Sequence, residues 1–135
     1  MAQAGLHAYL SLKSKKWIPD KKYFIAFLLG SIIPDIDIIF CAIASYYIPI
    51  EEAVHFFHRT ITHSIITLAA IYLIFLITYE IKKNNSILNS AYGFIAGMSF
   101  HLLIDIFFWF DSIDLFWPLP IPNINLWFNM DVNND

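Results

Sequence analysis

The sequence predicts an all-α protein, a polytopic membrane helical bundle of about three to four helices with one re-entrant or Pro-broken segment. Three observations predict it. Of 135 residues, 59% are hydrophobic and 14% charged, with a mean hydropathy of +0.61, whereas a soluble domain carries about 25% charged residues. Ser64–Ile81 and Ala91–Phe110 are apolar runs about as long as a bilayer-spanning helix requires. Tyr23–Ile48 is longer still, but Pro34-Asp35-Ile36-Asp37 interrupts it. A soluble chain of this size would leave too much apolar surface facing water, so lipid is the expected solvent.

Residues 1–22 read as an amphipathic, basic N-terminal segment. Lys13 to Lys22 with Trp17 is the mixture expected at a lipid–water boundary. No Lys or Arg precedes the apolar part of the first twelve residues, which argues against a cleaved signal peptide. In 23–48, Pro34 removes a backbone donor and is expected to push Ile33 away from helical geometry. The segment is either one kinked span or two short helices that dip in and return. Residues 64–81 and 91–110 read as spans, the second carrying His101 and Asp105. From Asp111 to Asp135 the chain is rich in Trp, Pro and Asn. That stretch reads as an interfacial segment lying on the membrane, frayed after Met130. The whole, 1–135, reads as a single membrane-embedded domain.

Composition also excludes classes. One cysteine, Cys41, permits no internal disulfide framework and no thiolate zinc site, and it reads as a small buried hydrophobe. The net charge is −3 and the lysines flank apolar runs without forming a stripe, so nucleic acid is not an expected partner. Seven of the eight basic residues sit at 13–22 or 82–83. With three complete spans both clusters share one side, cytoplasmic by the positive-inside rule. That topology sends 55–64 to the other side and strands His7 across the bilayer from the remaining histidines; if 23–48 is re-entrant, His7 and 55–64 share the cytoplasmic side and Lys82 and Lys83 face out.

Residues 55–64, HFFHRTITHS, gather three histidines, an arginine and three hydroxyls. His101 and Asp105 are four apart, on one helix face. A charge at the bilayer centre costs roughly 2.5–3.5 kcal/mol on insertion scales, so such groups usually face the protein interior and have a job. Asp35 and Asp37 form a second pair that a proline-broken loop can turn inward. If a helix begins near Thr60 or Thr62, hydroxyls suited to N-capping, His58 lies in the loop before it and His63 in its first turn. The two can then converge, with Arg59 beside them. Plainer readings compete: Asp35 and Asp37 as caps of the helix starting at Ile38, His101–Asp105 as a hydrogen-bonded buried pair, His55 as an interfacial side chain, His7 as inert. Three apolar segments each bringing a His or Asp pair favours a metal site over capping.

An early His7, then LLGSIIPDID, HRTITHS, HLLIDIF and LFWPLP, in order from about Leu6 to Pro120, resembles the YdjM-like membrane-bound metal-dependent hydrolases. The resemblance implies a membrane protein with a metal-dependent hydrolase site at Asp35, Asp37, His58, Arg59, His63, His101 and Asp105. His7 corresponds to the family's N-terminal histidine. Relatives usually carry a Thr and a Gly between the last Asp and the WP, where this chain has Phe108 and Phe110-Asp111-Ser112.

His and Asp ligands without Cys suit zinc, with manganese or iron as alternatives. Seven candidate ligands, His7 among them, leave room for one ion or two. A water whose pKa an ion lowers to roughly 7 is the expected nucleophile, with Asp37 taking its proton and Arg59 holding the developing anion. An arginine near a metal at the membrane rim points to a phospholipid or another membrane-associated phosphoester. The alternative is a membrane metal-binding protein or metal-ion transporter without hydrolytic activity. A purely structural role ranks last, because interhelical hydrogen bonds average only about 0.6 kcal/mol in the best-studied case.

Overall fold

A computed structural model describes residues 3–58, 60–108 and 113–121 of the chain. Arg59, Asp111, Ser112 and the tail beyond Met130 lie outside the described residues. The described part is helical: α1 (Gln3–Lys13), α2 (Lys21–Ile32), α3 (Ile38–Ala44), α4 (Ile50–Phe57), α5 (Ile65–Lys82) and α6 (Asn85–Phe108), with 3-10 turns at Ser14–Trp17, Ile33–Asp37 and Ile61–His63. No strand occurs among the described residues. Three segments are long and apolar enough to cross a membrane, Lys21–Ala44, Ile65–Lys82 and Asn85–Phe108. The all-α membrane bundle expected from composition is the fold observed.

The bundle is built on α2 against α6. Both bury stripes at helical spacing, Phe24, Phe27, Gly30 and Ser31 on α2, and Ala91, Gly93, Gly97, Met98 and His101 on α6. Gly93 and Gly97 lie four apart, so their missing side chains open one notch in the helix surface. A Cβ at Gly93 would collide with the Tyr23 carbonyl, one at Gly97 with the Phe27 carbonyl, and one at Gly30 with the Phe94 carbonyl. Backbones therefore touch, as small residues permit in lipid. Tyr23 meets Gly93, Phe27 meets Gly97 and Ser31 meets His101, so the two helices run parallel. α5 returns between them in sequence and packs on α6. None of its residues is buried within the protein, which suits a helix apolar on every side and facing lipid.

The proline segment does not reverse. α2 passes through the Ile33–Asp37 turn into α3 without leaving helical dihedrals, and Ile33 itself sits at φ −58° and ψ −37°. The expected departure of Ile33 from helical geometry is thus corrected. Its N–H still bonds the Leu29 carbonyl, and the tightening from α to 3-10 relieves the clash with Pro34. Of the two alternatives for 23–48, the chain adopts the single broken span, which stops at Ala44.

Helix ends differ from the sequence reading where side chains choose other partners. α5 starts at Ile65 with Ser64 as its cap, whose Oγ accepts the Ile66 N–H at 3.1 Å. Thr60 instead donates to the Phe56 and Phe57 carbonyls, and Thr62 donates to Asp37, so neither caps α5. Lys83 in a left-handed conformation ends α5, and Asn84 Oδ1 accepts the Ser86 N–H, so α6 begins at Asn85, six residues before the expected 91. α4 was not expected; Pro49 precedes it and Glu51 and Glu52 occupy its first turn, where carboxylates favour the helix dipole. The C-terminal segment is more than a surface loop: Ile113 and Leu115 are buried, and the Leu115 and Trp117 carbonyls accept from Ile65 N–H and Ser64 Oγ–H.

Lys22 Nζ donates to Ser86 Oγ at 3.3 Å and Asn89 Nδ2 to Asp20 Oδ1 at 3.2 Å. The starts of α2 and α6 and the end of α5 are therefore level, and both lysine clusters share one end. His7 is nevertheless not stranded. α1 folds back along α2 from the turn at the basic end, and its 11 residues rise ~16 Å. That brings His7 up into the bundle, where it and Ser11 are buried. The first part of 1–22 is thus a half-span, and only the Ser14–Trp17 turn, with no buried residue, keeps the boundary character expected of it.

Two outcomes follow. Gly97→Ala should lower unfolding stability in detergent by about 1–3 kcal/mol, as overpacking does, while Gly5→Ala, helical and with nothing within 4 Å of its added methyl, should not lower it. By the positive-inside rule, Tyr46→Cys at the exposed α3–α4 turn should react with a membrane-impermeant maleimide in intact cells, and Asn84→Cys should not.

Candidate metal centre

Each predicted pair arrives on a different element. Asp35 and Asp37 sit in the 3-10 turn after Pro34, His58 ends α4, His63 closes the turn before α5, and His101 and Asp105 lie one turn apart near the end of α6. α1 supplies His7. All seven expected ligands meet in one region. His7, His63 and His101 are 1%, 0% and 0% exposed, while His55, set aside as an interfacial residue, is exposed.

Four of the seven converge. His63 Nε2 lies 3.1 Å from His101 Nε2, 3.3 Å from Asp105 Oδ2 and 3.8 Å from Asp35 Oδ1. His101 Nε2 lies 3.5 Å from Asp105 Oδ2 and 3.6 Å from Asp35 Oδ1. Ligands at zinc's usual bond lengths stand ~3.4 Å apart, and these separations bracket that value; the ligand atoms of Asp35, His63 and His101 all lie within 4.8 Å of one another. Asp35 Oδ2 is buried with no hydrogen-bond partner, a state that a buried carboxylate oxygen rarely keeps. Two carboxylates and two neutral imidazoles also carry a charge of −2, which a divalent cation neutralises. The donor set fits such an ion.

The surrounding bonds fix which nitrogen each imidazole presents. His101 Nδ1–H donates to the Ser31 carbonyl at 2.8 Å, leaving the Nε2 lone pair to face His63. Pro34 has no N–H for the carbonyls of Gly30 or Ser31, the residues four and three before it, so the Ser31 oxygen is open to a side chain. His63 Nδ1–H donates to Thr62 Oγ1 at 3.0 Å, and that hydroxyl donates to Asp37 Oδ2 at 2.7 Å. Second partners of this kind hold ligating histidines in one tautomer. Burial works against charge on His63, yet the carboxylates of Asp105 and Asp37 outweigh it and raise its pKa.

The other three expected ligands occupy a second layer. Asp37 Oδ1 accepts from His58 Nδ1–H at 2.8 Å and Oδ2 from Thr62, and its side chain caps nothing although it stands at the N-cap of α3. The capping reading fails because stronger donors face the carboxylate. His7 Nε2–H donates to Asp105 Oδ1 at 2.9 Å, and its ring stacks on His101 at 3.8 Å between centroids. It also falls with His101 and Asp105 in a cluster whose ligand atoms all lie within 4.8 Å. His101 and Asp105 are thus more than a mutual pair, since each has partners on other helices.

Sequence reasoning missed Thr62 as a bridge, the Ser31 carbonyl and the glycine notch. Thr62 stands beside His63 in HRTITHS, where its hydroxyl suits a cap equally well. Gly93-x-x-x-Gly97 was visible as a small-residue spacing. Nothing but Pro34, three residues on, hinted at Ser31.

A family model described as YdjM inner membrane protein matches residues 2–133. No curated protein and no solved structure matches the chain.

Thr62→Val removes the hydroxyl that links Asp37 to His63 and keeps the volume. Competition with a chelator should show zinc affinity about 10–100-fold weaker, with the helical far-UV spectrum unchanged. Unaltered affinity would remove Thr62 from the site.

Proposed function

We propose that this chain, which belongs to the YdjM inner membrane protein family, is a membrane-bound metal-dependent hydrolase acting on a phospholipid or another membrane-associated phosphoester. Its membrane residence rests on the family and on three candidate spans. The hydrolase reading rests on one observation, the five 3.1–3.8 Å separations among His63, His101, Asp35 and Asp105. Those four residues would hold a single ion. Imidazole and carboxylate ligands without thiolate suit zinc, with manganese or iron as alternatives.

A zinc ion bound there would lower the pKa of a water to about 7 and polarise an oxygen it faces. The chain's own groups do the rest. Asp37, the proton acceptor expected from sequence, is engaged by His58 and Thr62. Its better role is to hold His58 Nδ1–H, so that His58 takes the proton. Of the four histidines at the site His58 is the one with appreciable exposure, 14% at the side chain, which lets it exchange protons with water. His7 holds Asp105 by its outer oxygen, so that Oδ2 stays turned toward His63 and His101. Arg59, adjacent to His58 in sequence, would steady the anionic oxygen as charge develops. An arginine suits a phosphoester, and the nearest abundant phosphoesters are lipid head groups.

Transport of the ion is the weaker reading. Below the site, toward the basic end, the described buried faces of α2 and α6 are Phe24, Ala26, Phe27, Ala91, Gly93, Gly97 and Met98. That wall offers a passing cation no ligand.

Elemental analysis of purified protein should find about one equivalent of zinc per chain, lost in Asp35→Ala and His63→Ala. Zinc-loaded protein in detergent should release head group or phosphate from phospholipid, and Asp105→Ala should not. His58→Asn should keep the zinc while turnover falls about 10²–10⁴-fold, the range of general acid–base catalysis. Zinc retention with no phospholipid turnover in any variant would leave a metal-binding protein.

A further inference from the structure

A groove of about 440 Å³ lies at the end of the bundle opposite the candidate metal centre, between the Ser14–Trp17 turn and the start of α2. Lys15 and Lys21 stand at its mouth, and Ile18, Pro19, Phe24 and Ile25 form its wall. We propose that this groove binds one anionic phospholipid, its phosphate between Lys15 and Lys21 and an acyl chain along Ile18, Phe24 and Ile25.

The two ammonium groups are available. Among the described residues neither has a carboxylate within ion-pairing distance. The nearest acid in sequence, Asp20, accepts from the Tyr23 N–H and from Asn89. Of the other lysines of this end, Lys22 donates to Ser86 and Lys83 pairs with Glu80, and Lys13, Lys16 and Lys82 do not line the groove. Lys15 sits 6.0 Å above the Phe24 ring, so charge and apolar wall meet at one point. The candidate span begins at Lys21, which sets the lysine pair at head-group depth and the apolar wall at acyl depth. Free phosphate would use the lysines and leave that wall without a partner. The groove between α5 and α6 at the same end has a single lysine, Lys82, beside neutral Asn84, Ser86 and Ser90. It lacks the paired charge that an anionic head group selects.

The full chain is reconstituted in phosphatidylcholine with increasing phosphatidylglycerol, and retained lipid is counted by native mass spectrometry after detergent exchange. Phosphatidylglycerol should be retained in preference to phosphatidylcholine. A lysine near an anionic membrane contributes about fivefold in affinity, so Lys15→Gln with Lys21→Gln should weaken retention roughly 25-fold. Lys13→Gln with Lys16→Gln removes the same charge outside the groove and should weaken it less than about threefold if the groove, and not the surface potential, is responsible. Equal losses in the two double variants would overturn the proposal in favour of a diffuse surface effect. Displacement by inorganic phosphate would overturn it in favour of a free-anion site, and equal retention of both lipids would overturn it outright. Should the first double variant fail to fold, each single substitution should still show its own fivefold loss.

Discussion

One hydrogen bond sets the register on which the candidate metal centre depends, the donation from His101 Nδ1–H to the Ser31 carbonyl at 2.8 Å. It joins α6, which carries His101 and Asp105, to the end of α2, from which the turn bearing Asp35 and Asp37 continues, and it does so at the position where Pro34 leaves backbone acceptors open. The glycine contacts at Tyr23–Gly93 and Phe27–Gly97 extend the same register down the interface. Were α6 to slide by one turn, His101 would lose that carbonyl and Asp105 would move away from His63. Close backbone packing is therefore a requirement of the site as much as of the fold. In lipid, where apolar burial between helices brings little gain, such contact between backbones is a principal source of association.

The second constraint is charge. Three carboxylates and four imidazoles occupy the interior near one end of a bundle whose other faces are lipid-exposed. All but Asp35 are hydrogen-bonded to another member of the group or to the Ser31 carbonyl, and Asp35 Oδ1 lies 3.6 and 3.8 Å from His101 and His63, so the set behaves as a network. The network is incomplete at its centre. The His63 and His101 Nε2 atoms face each other at 3.1 Å, an arrangement that needs either a shared proton or a cation between lone pairs, and the Asp35 Oδ2 lacks any partner. A structural network would be expected to close on itself, because leaving one buried polar group unsatisfied costs about 1–3 kcal/mol. The open Asp35 oxygen and the facing Nε2 atoms are the features that support the metal reading proposed above.

How much of this was legible in the chain depends on the range of the interaction. The spans, the proline break and the residue types of the site could be read locally, since each is a matter of apolar length or of i, i+4 spacing. The division of labour could not. Whether Asp37 meets a cation or a histidine is settled by α4, a helix that the apolar runs on either side concealed, and by Thr62, whose hydroxyl had a competing use as a cap. Ser64 took the capping role because its Oγ both accepts from Ile66 and donates to Trp117, 53 residues away. The depth of His7 was the largest departure. A charge-and-span argument treats residues 1–22 as a surface segment, and it holds for Ser14–Trp17. Nothing in the local sequence says that Gln3–Lys13 turns back along α2, because the partner that draws it inward, Asp105, lies 98 positions away.

The fold also separates two chemistries by the thickness of the apolar layer. Lysines from the start of α2 and the end of α5 gather at one end, held level by Lys22–Ser86 and Asp20–Asn89, while every carboxylate and imidazole of the candidate centre lies toward the other. Parallel packing of α2 and α6 makes this separation unavoidable. Two parallel helices place their N-termini together and their C-terminal ends together, and the buried residues of the intervening turns, Phe24, Ala26 and Phe27 against Ala91, Gly93 and Gly97, are apolar or small. Each end thus presents its own surface to a different leaflet, and the positive-inside rule assigns the lysines to the cytoplasmic one. The candidate centre then lies toward the far leaflet, at the end where the Leu115 and Trp117 carbonyls accept from Ile65 and Ser64.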